Sequence, residues 1–190
     1  SPKPELLDDT YLLLGAALFG AKQYGDALKY LRQLQTEFPD SEVTDRGKLM
    51  QARVHAAMGN LDLALPILTG LRNLSKDEGT KREALQLSGD FYAKKKDATR
   101  AIRAWFDEME LGTEAQAEDV RTRIRELVSE TSDKKVLEQI REAFPRSFPG
   151  DLASLRLIDL YTGRGEEHQA IRKIQQFLVN FPMHPQAAKT

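Results

Sequence analysis

The sequence predicts an all-α fold of about five helical hairpins, stacked into a right-handed superhelical solenoid. Three observations carry this. Apolar residues recur at helical spacing in paired stripes: Tyr11, Leu14, Gly15 and Leu18 form one, and Ala27, Leu31 and Leu34 the next. The Gln23-Tyr24-Gly25-Asp26 segment between them has room only for a tight turn. A small residue then marks the second helix of successive pairs at a fixed interval, since Ala27, Ala64 and Ala101 lie 37 residues apart. Units of that period cannot bury an apolar face alone and do so by stacking on their neighbours.

The first hairpin is expected over about 8–41. Asp8 or Asp9 stands near its start, where the helix dipole favours a carboxylate. Phe38-Pro39 closes it, because proline cannot continue a helix. Gly15 and Ala27 are placed where the two helices cross, since a larger side chain there would hold them apart. Ser41 or Thr44 is expected to cap the next helix. The second hairpin, about 45–78, has the stripes Leu49, Ala52, His55, Ala56 and Leu61, Ala64, Leu65, Leu68, Leu71, with Pro66 in the first turn or two of its second helix. The third, about 82–115, has Leu85, Gly89, Tyr92 and then Ala101 and Trp105 around the turn Lys94-Lys95-Lys96-Asp97. Trp105 is read as filling the hairpin core. The fourth, about 117–150, is degenerate: Val120, Ile124 and Leu127 face Val136, Leu137, Ile140 and Phe144, and a break or bend in the array is expected here. The fifth, about 151–184, has Leu157, Ile158, Tyr161, the turn Gly163-Arg164-Gly165-Glu166, then Ala170, Ile174, Phe177 and Phe181-Pro182. The array is expected over 5–187. Residues 1–4 read as a linker, and the whole as a fragment of a longer protein.

The residues Tyr11, Leu14-Gly15, Leu18, Ala27, Leu31 and Pro39 follow the tetratricopeptide repeat pattern, with Tyr11 for its Trp, Leu18 for its Tyr and Leu31 for its Phe. The chain therefore resembles a tetratricopeptide repeat array, most clearly in hairpins one, three and five. A narrower resemblance lies in the hairpin endings Phe38-Pro39-Asp40-Ser41, Phe144-Pro145-Arg146-Ser147 and Phe181-Pro182-Met183-His184-Pro185. These look like endings common in bacterial cell-envelope repeat proteins, and the arrangement is similar to the helical N-terminal region of penicillin-binding-protein activator lipoproteins. That resemblance implies a periplasmic scaffold serving outer-membrane or peptidoglycan assembly, anchored to the outer membrane as part of a lipoprotein. A cytoplasmic location is the alternative.

Composition narrows the partners. A formal net charge of -1 gives no basic excess for nucleic acid or a membrane surface. No apolar run approaches the roughly 18 residues of a membrane helix, so no insertion by this chain is expected. The absence of cysteine excludes disulfides and thiolate metal sites, and it suits an exported protein that avoids mispairing.

Catalytic, cofactor and metal sites are not expected. His55 occupies the stripe position that Tyr92 and Tyr161 hold in later hairpins, so it reads as a packing residue. His168 follows Glu166-Glu167 without the three- or four-residue spacing a helical zinc site needs. Gly15, Gly20 and Gly25 are spread over a hairpin rather than following a strand, so no phosphate loop is formed.

The expected function is a noncatalytic scaffold that binds a protein or peptide segment along the concave face made by the first helices. The residues placed there are Arg46, Leu49, Arg53, Gln86, Asp90, Arg121, Arg125 and Asp159, with Leu12, Ala16 and Phe19 at the leading end. Arginines on one helix face form forked bonds to the carboxylates of an extended peptide. Intramolecular acids such as Asp45 and Glu118 are the competing partners for them. The alternative function is a regulatory or docking arm for an enzyme or solute-binding receptor domain beyond Thr190. Self-association through the flat sides or terminal hairpins is a further expectation.

Overall fold

The structure, a computed structural model, describes residues 4–182. Ten α-helices and no strands occur among the described residues. They are α1 (Pro4–Gly20), α2 (Tyr24–Glu37), α3 (Thr44–Ala57), α4 (Leu61–Leu74), α5 (Glu78–Lys94), α6 (Ala98–Glu110), α7 (Glu114–Glu130), α8 (Lys134–Ala143), α9 (Phe148–Gly163) and α10 (Glu167–Asn180). The fold is an all-α helical repeat. Residues 1–3 and 183–190, with His184 and the end of the third Phe-Pro connector, lie outside the described residues.

The chain forms two compact units, 1–95 and 96–190. The division falls between α5 and α6, not at the degenerate fourth hairpin where the sequence predicts a break. Charged residues crowd the outer faces of that hairpin, but Val120, Ile124, Leu137 and Ile140 are all fully buried and hold it within its unit.

In unit 1, α2 packs on α1, α3 packs on both, α4 on α3, and α5 on α4 and α3. Two glycines set the close approaches. A β-carbon on Gly15 would lie 2.6 Å from Leu31 Cδ2, and one on Gly47 would lie 2.6 Å from Leu34 Cδ2. The core is passed from hairpin to hairpin. Leu12, Ala27, Leu28, Leu31 and Leu34 of the first form a cluster with Val54 of α3. Leu49, Ala52, Ala64, Leu65, Leu68 and Leu71 of the second continue to Ala84 and Phe91 of α5. On α1 the buried face is turned from the predicted one. Leu12 is buried at 8% exposure and Leu14 is 39% exposed. The face that meets α2 and α3 carries Tyr11, Leu12, Gly15, Leu18 and Phe19, and Leu14 falls off its edge.

The connector after α2 also departs from expectation. Neither Ser41 nor Thr44 caps α3, whose N-cap residue is Val43. Ser41 Oγ instead donates to Asp8 Oδ2 at 2.5 Å, and Thr44 Oγ1 donates to the Phe38 carbonyl at 2.6 Å. Both hydroxyls are spent on fastening the loop to the first hairpin. The Ser41 bond and the Asp9 N–H hold the Asp8 carboxyl below the usual carboxylate range. Side chains do cap other helices: Asp77 accepts from Thr80 N at 2.7 Å, Asp97 from Arg100 N at 3.1 Å, and Thr113 and Gln116 form a reciprocal capping box. These caps start α5 at Glu78 and α7 at Glu114, a few residues before the hairpin starts read from the sequence. Pro66 is the sixth residue of α4, in its second turn, and is exposed.

In unit 2, α7 and α8 pack on α6, and α9 packs on α7, α8 and α10. Trp105 is 5% exposed and is a core residue. The Arg123 guanidinium lies 5.4 Å from its ring centroid, and Arg123 Nη2 donates to both oxygens of the buried Glu108 at 2.9 Å. Glu138 is pushed up by burial, but a hydrogen bond from Lys173 and the charge of Arg141 outweigh this and hold it low.

Candidate partner-binding grooves

The face formed by α1, α3 and α5 carries a continuous groove in unit 1. Its wider part, about 400 Å³, lies between α3 and α5 and is lined by Arg46, Leu49, Arg53, Arg82, Glu83 and Gln86, with the N-terminal turn of α5 at its edge. A second part of about 230 Å³ continues toward α1, where Leu12, Leu13 and Ala16 meet Arg46, Leu49, Met50 and Arg53. The helical repeat explains this arrangement. Arg46, Leu49 and Arg53 recur on one face of α3, and Arg82 and Gln86 are one turn apart on α5.

The groove's charges divide into engaged and unengaged sets. Arg53 Nη2 donates to Glu83 Oε1 at 2.5 Å, and Asp77 is occupied in capping α5, where the Thr80 bonds lower its pKa. Arg46 and Arg82 have no acid partner among the described residues. Leu49, expected to contact a partner, is 5% exposed and belongs to the core, so it forms the floor rather than a protruding contact. Gln86 is exposed on the wall, and Asp90, half-buried, stands one turn further along α5. Sequence reasoning missed Arg82. Its place one turn before Gln86 was the available signal.

The unit 2 residues are arranged differently. Arg121 donates to Glu114 at 2.7 Å and to Glu118 at 3.1 Å, and these bonds raise its pKa. Arg125 lies 3.8 Å from Glu118 and stacks over Phe148 at 5.7 Å. The helix's own acids thus hold both arginines, because Glu114 and Glu118 lie one and two turns before them. Arg125 and the exposed Asp159 also border an apolar groove of about 500 Å³ between α7, α9 and α10.

The histidines split as read. His55 is 7% exposed, and burial, with the charge of Arg32, lowers its pKa. His168 is exposed. No group of three or more His, Cys, Asp or Glu suited to a metal ion occurs among the described residues. No helix among them is long and apolar enough to cross a membrane.

Comparison with known proteins agrees with this architecture. Residues 9–41 match the family model of the tetratricopeptide repeat. Among solved structures, the chain is similar to nearly identical TPR-like repeats of a protein described as a Podosopora anserina kinesin light chain. The TM-score is 0.51 at 13% identity, over 98% of each chain, which is a likeness of fold. No curated protein gives a significant sequence match. Tetratricopeptide repeats generally mediate protein–protein interaction, and the first hairpin is the part of this chain that carries their signature.

Proposed function

We propose that this chain is a noncatalytic scaffold that holds an extended, carboxylate-bearing peptide segment of a partner protein in the α1–α3–α5 groove. The observation that carries this reading is that Arg46 and Arg82, both without an acid partner among the described residues, line one groove over a leucine floor. Paired guanidinium groups bind carboxylates through forked, charge-assisted bonds. The apolar α1 end, with Leu13 at 68% exposure, suits a neighbouring apolar side chain of the same segment. Its place in the cell is read as the bacterial periplasm, in envelope or peptidoglycan assembly, as part of an anchored lipoprotein. The Phe-Pro-x-Ser connectors and the absence of cysteine support that reading.

The test is a pull-down from bacterial envelope extract with the chain and with its Arg46→Ala/Arg82→Ala variant as bait. The proposal expects envelope proteins captured by the parent chain and lost from the variant. Equal capture by both removes the groove from the account. Capture of cytosolic proteins alone removes the periplasmic placement.

A further inference from the structure

Charge in the α1–α3–α5 groove is not uniform along its length. Arg46, Leu49, Arg53 and Glu83 border both of its parts, whereas Arg82 and Gln86 line the wider part and Leu12, Leu13 and Ala16 line the part toward α1. The bond from Arg53 of α3 to Glu83 of α5 therefore crosses the groove where the two parts join.

This pair differs from those of α7. Arg121 and Arg125 are held by acids at or on their own helix, whereas Arg53 meets an acid from the neighbouring helix. Both side chains stay open to solvent, Arg53 at 43% and Glu83 at 39% exposure, so a bound segment can reach them. A pair this exposed adds little to folding, and removing its negative charge is expected to leave the helices in place. Glu83 spends Oε1 on Arg53, and its Oε2 takes no bond from a described residue. A partner's carboxylate placed at this junction meets the like charge of Glu83 and reaches Arg53 only by displacing it. An ammonium or guanidinium group placed there donates to Oε2 instead.

We propose, on the basis of the function proposed above, that Glu83 determines specificity in the groove: it admits a basic side chain at the junction and excludes an acidic one. The segment bound is then one in which a lysine or arginine separates an acidic residue from an apolar one. The acidic residue sits at Arg46 and Arg82, and the apolar residue sits against Leu12, Leu13 and Ala16.

The test uses fluorescein-labelled synthetic peptides with two aspartates and a leucine on opposite sides of a central Lys, Gln or Glu. They are made in both chain directions with Gly-Ser spacers of several lengths, and titrated with the full chain by fluorescence anisotropy. The parent chain is expected to bind the best Lys-centred peptide at least about tenfold more tightly than its Glu-centred counterpart. Glu83→Gln is expected to remove most of that difference, chiefly by binding the Glu-centred peptide more tightly. Equal affinities in the parent chain, or a difference that Glu83→Gln leaves unchanged, overturns the proposal while leaving Arg46 and Arg82 as the acidic seat. Arg46→Ala/Arg82→Ala tests that seat separately: undiminished binding with the Lys-over-Glu preference intact overturns the seat and keeps Glu83 as the filter. Binding of none of the peptides by the parent chain overturns both.

Discussion

The carbonyl oxygen of Phe144 lies 2.0 Å from where a β-carbon on Gly150 would stand. The same oxygen accepts from Ser147 Oγ at 2.8 Å, and Gly150 N donates to the Ser147 carbonyl at 2.9 Å. The end of α8 and the start of α9 are thus closed on each other through backbone, which cannot shift as a side-chain tip can. Gly150→Ala is expected to cost at least about 2 kcal/mol, within the range for overpacking. Gly70, inside α4, has nothing within 4 Å of an added β-carbon. Gly70→Ala is expected to stabilise by about 1 kcal/mol through helix propensity. Urea unfolding of the two variants checks both signs.

The repeat period and the identity of the core helices were legible in the sequence because apolar spacing and small crossing residues leave a direct trace in it. The rotation of α1 was not, because Leu12, Leu13 and Leu14 are consecutive and only the position of α3 decides which is buried. The hydroxyls of Ser41 and Thr44 were misread for a related reason. A cap is a local pattern, whereas their actual acceptors, Asp8 and the Phe38 carbonyl, are 33 and 6 residues away. Arg46 and Arg53 lie on α3 and Arg121 and Arg125 on α7, but which of them are paired among the described residues depends on Glu83, Glu114 and Glu118, and Arg82 left no signal beyond its place one turn before Gln86.

The buried Glu108 pairs with the half-buried Arg123, whose guanidinium lies over the face of Trp105. Removing the glutamate leaves the Arg123 guanidinium, a quarter exposed, without this partner. Glu108→Ala is expected to destabilise unit 2 by about 1–3 kcal/mol, the range for a lost hydrogen bond to a charged group. Tryptophan fluorescence during denaturant unfolding reads this directly, since Trp105 is the single tryptophan.

Burial, aided by Arg32, holds His55 below the ordinary imidazole range, so the folded chain favours the neutral ring. The unfolded chain takes up the proton first as pH drops below about 6.5. Stability from this group is therefore full above that pH and declines as pH falls toward the folded pKa. The carboxylates held low, Asp8, Asp45, Asp77 and Glu138, contribute in a separate, more acidic window. The expected result is a loss of unfolding free energy between pH 7.5 and pH 5.5 that His55→Leu reduces.

Four hairpin turns place a left-handed residue two positions after the helix ends. Two are glycines, Gly59 at φ 80° and Gly165 at φ 68°, and two are lysines, Lys22 and Lys96, both at φ 60°. A β-carbon is strained in this region. Lys22→Gly is expected to raise stability by about 1 kcal/mol, set against the entropy that glycine adds to the unfolded chain. The same exchange at exposed Lys29, inside α2, is expected to lower it by a similar amount, which thermal unfolding of the pair will show.

Arg46 and Arg82 together are expected to receive a partner's carboxylates. The most direct measurement is the affinity of a captured partner segment, by fluorescence anisotropy, for the parent chain, for Arg46→Ala/Arg82→Ala and for Arg121→Ala/Arg125→Ala. Each lost charge-assisted bond is worth roughly 1.5–3 kcal/mol, so the first variant is expected to bind at least about tenfold more weakly. The second, whose arginines serve Glu114 and Glu118, is expected to match the parent within about twofold. The reverse order, or full affinity in the first variant with its helical content intact, removes Arg46 and Arg82 from partner recognition.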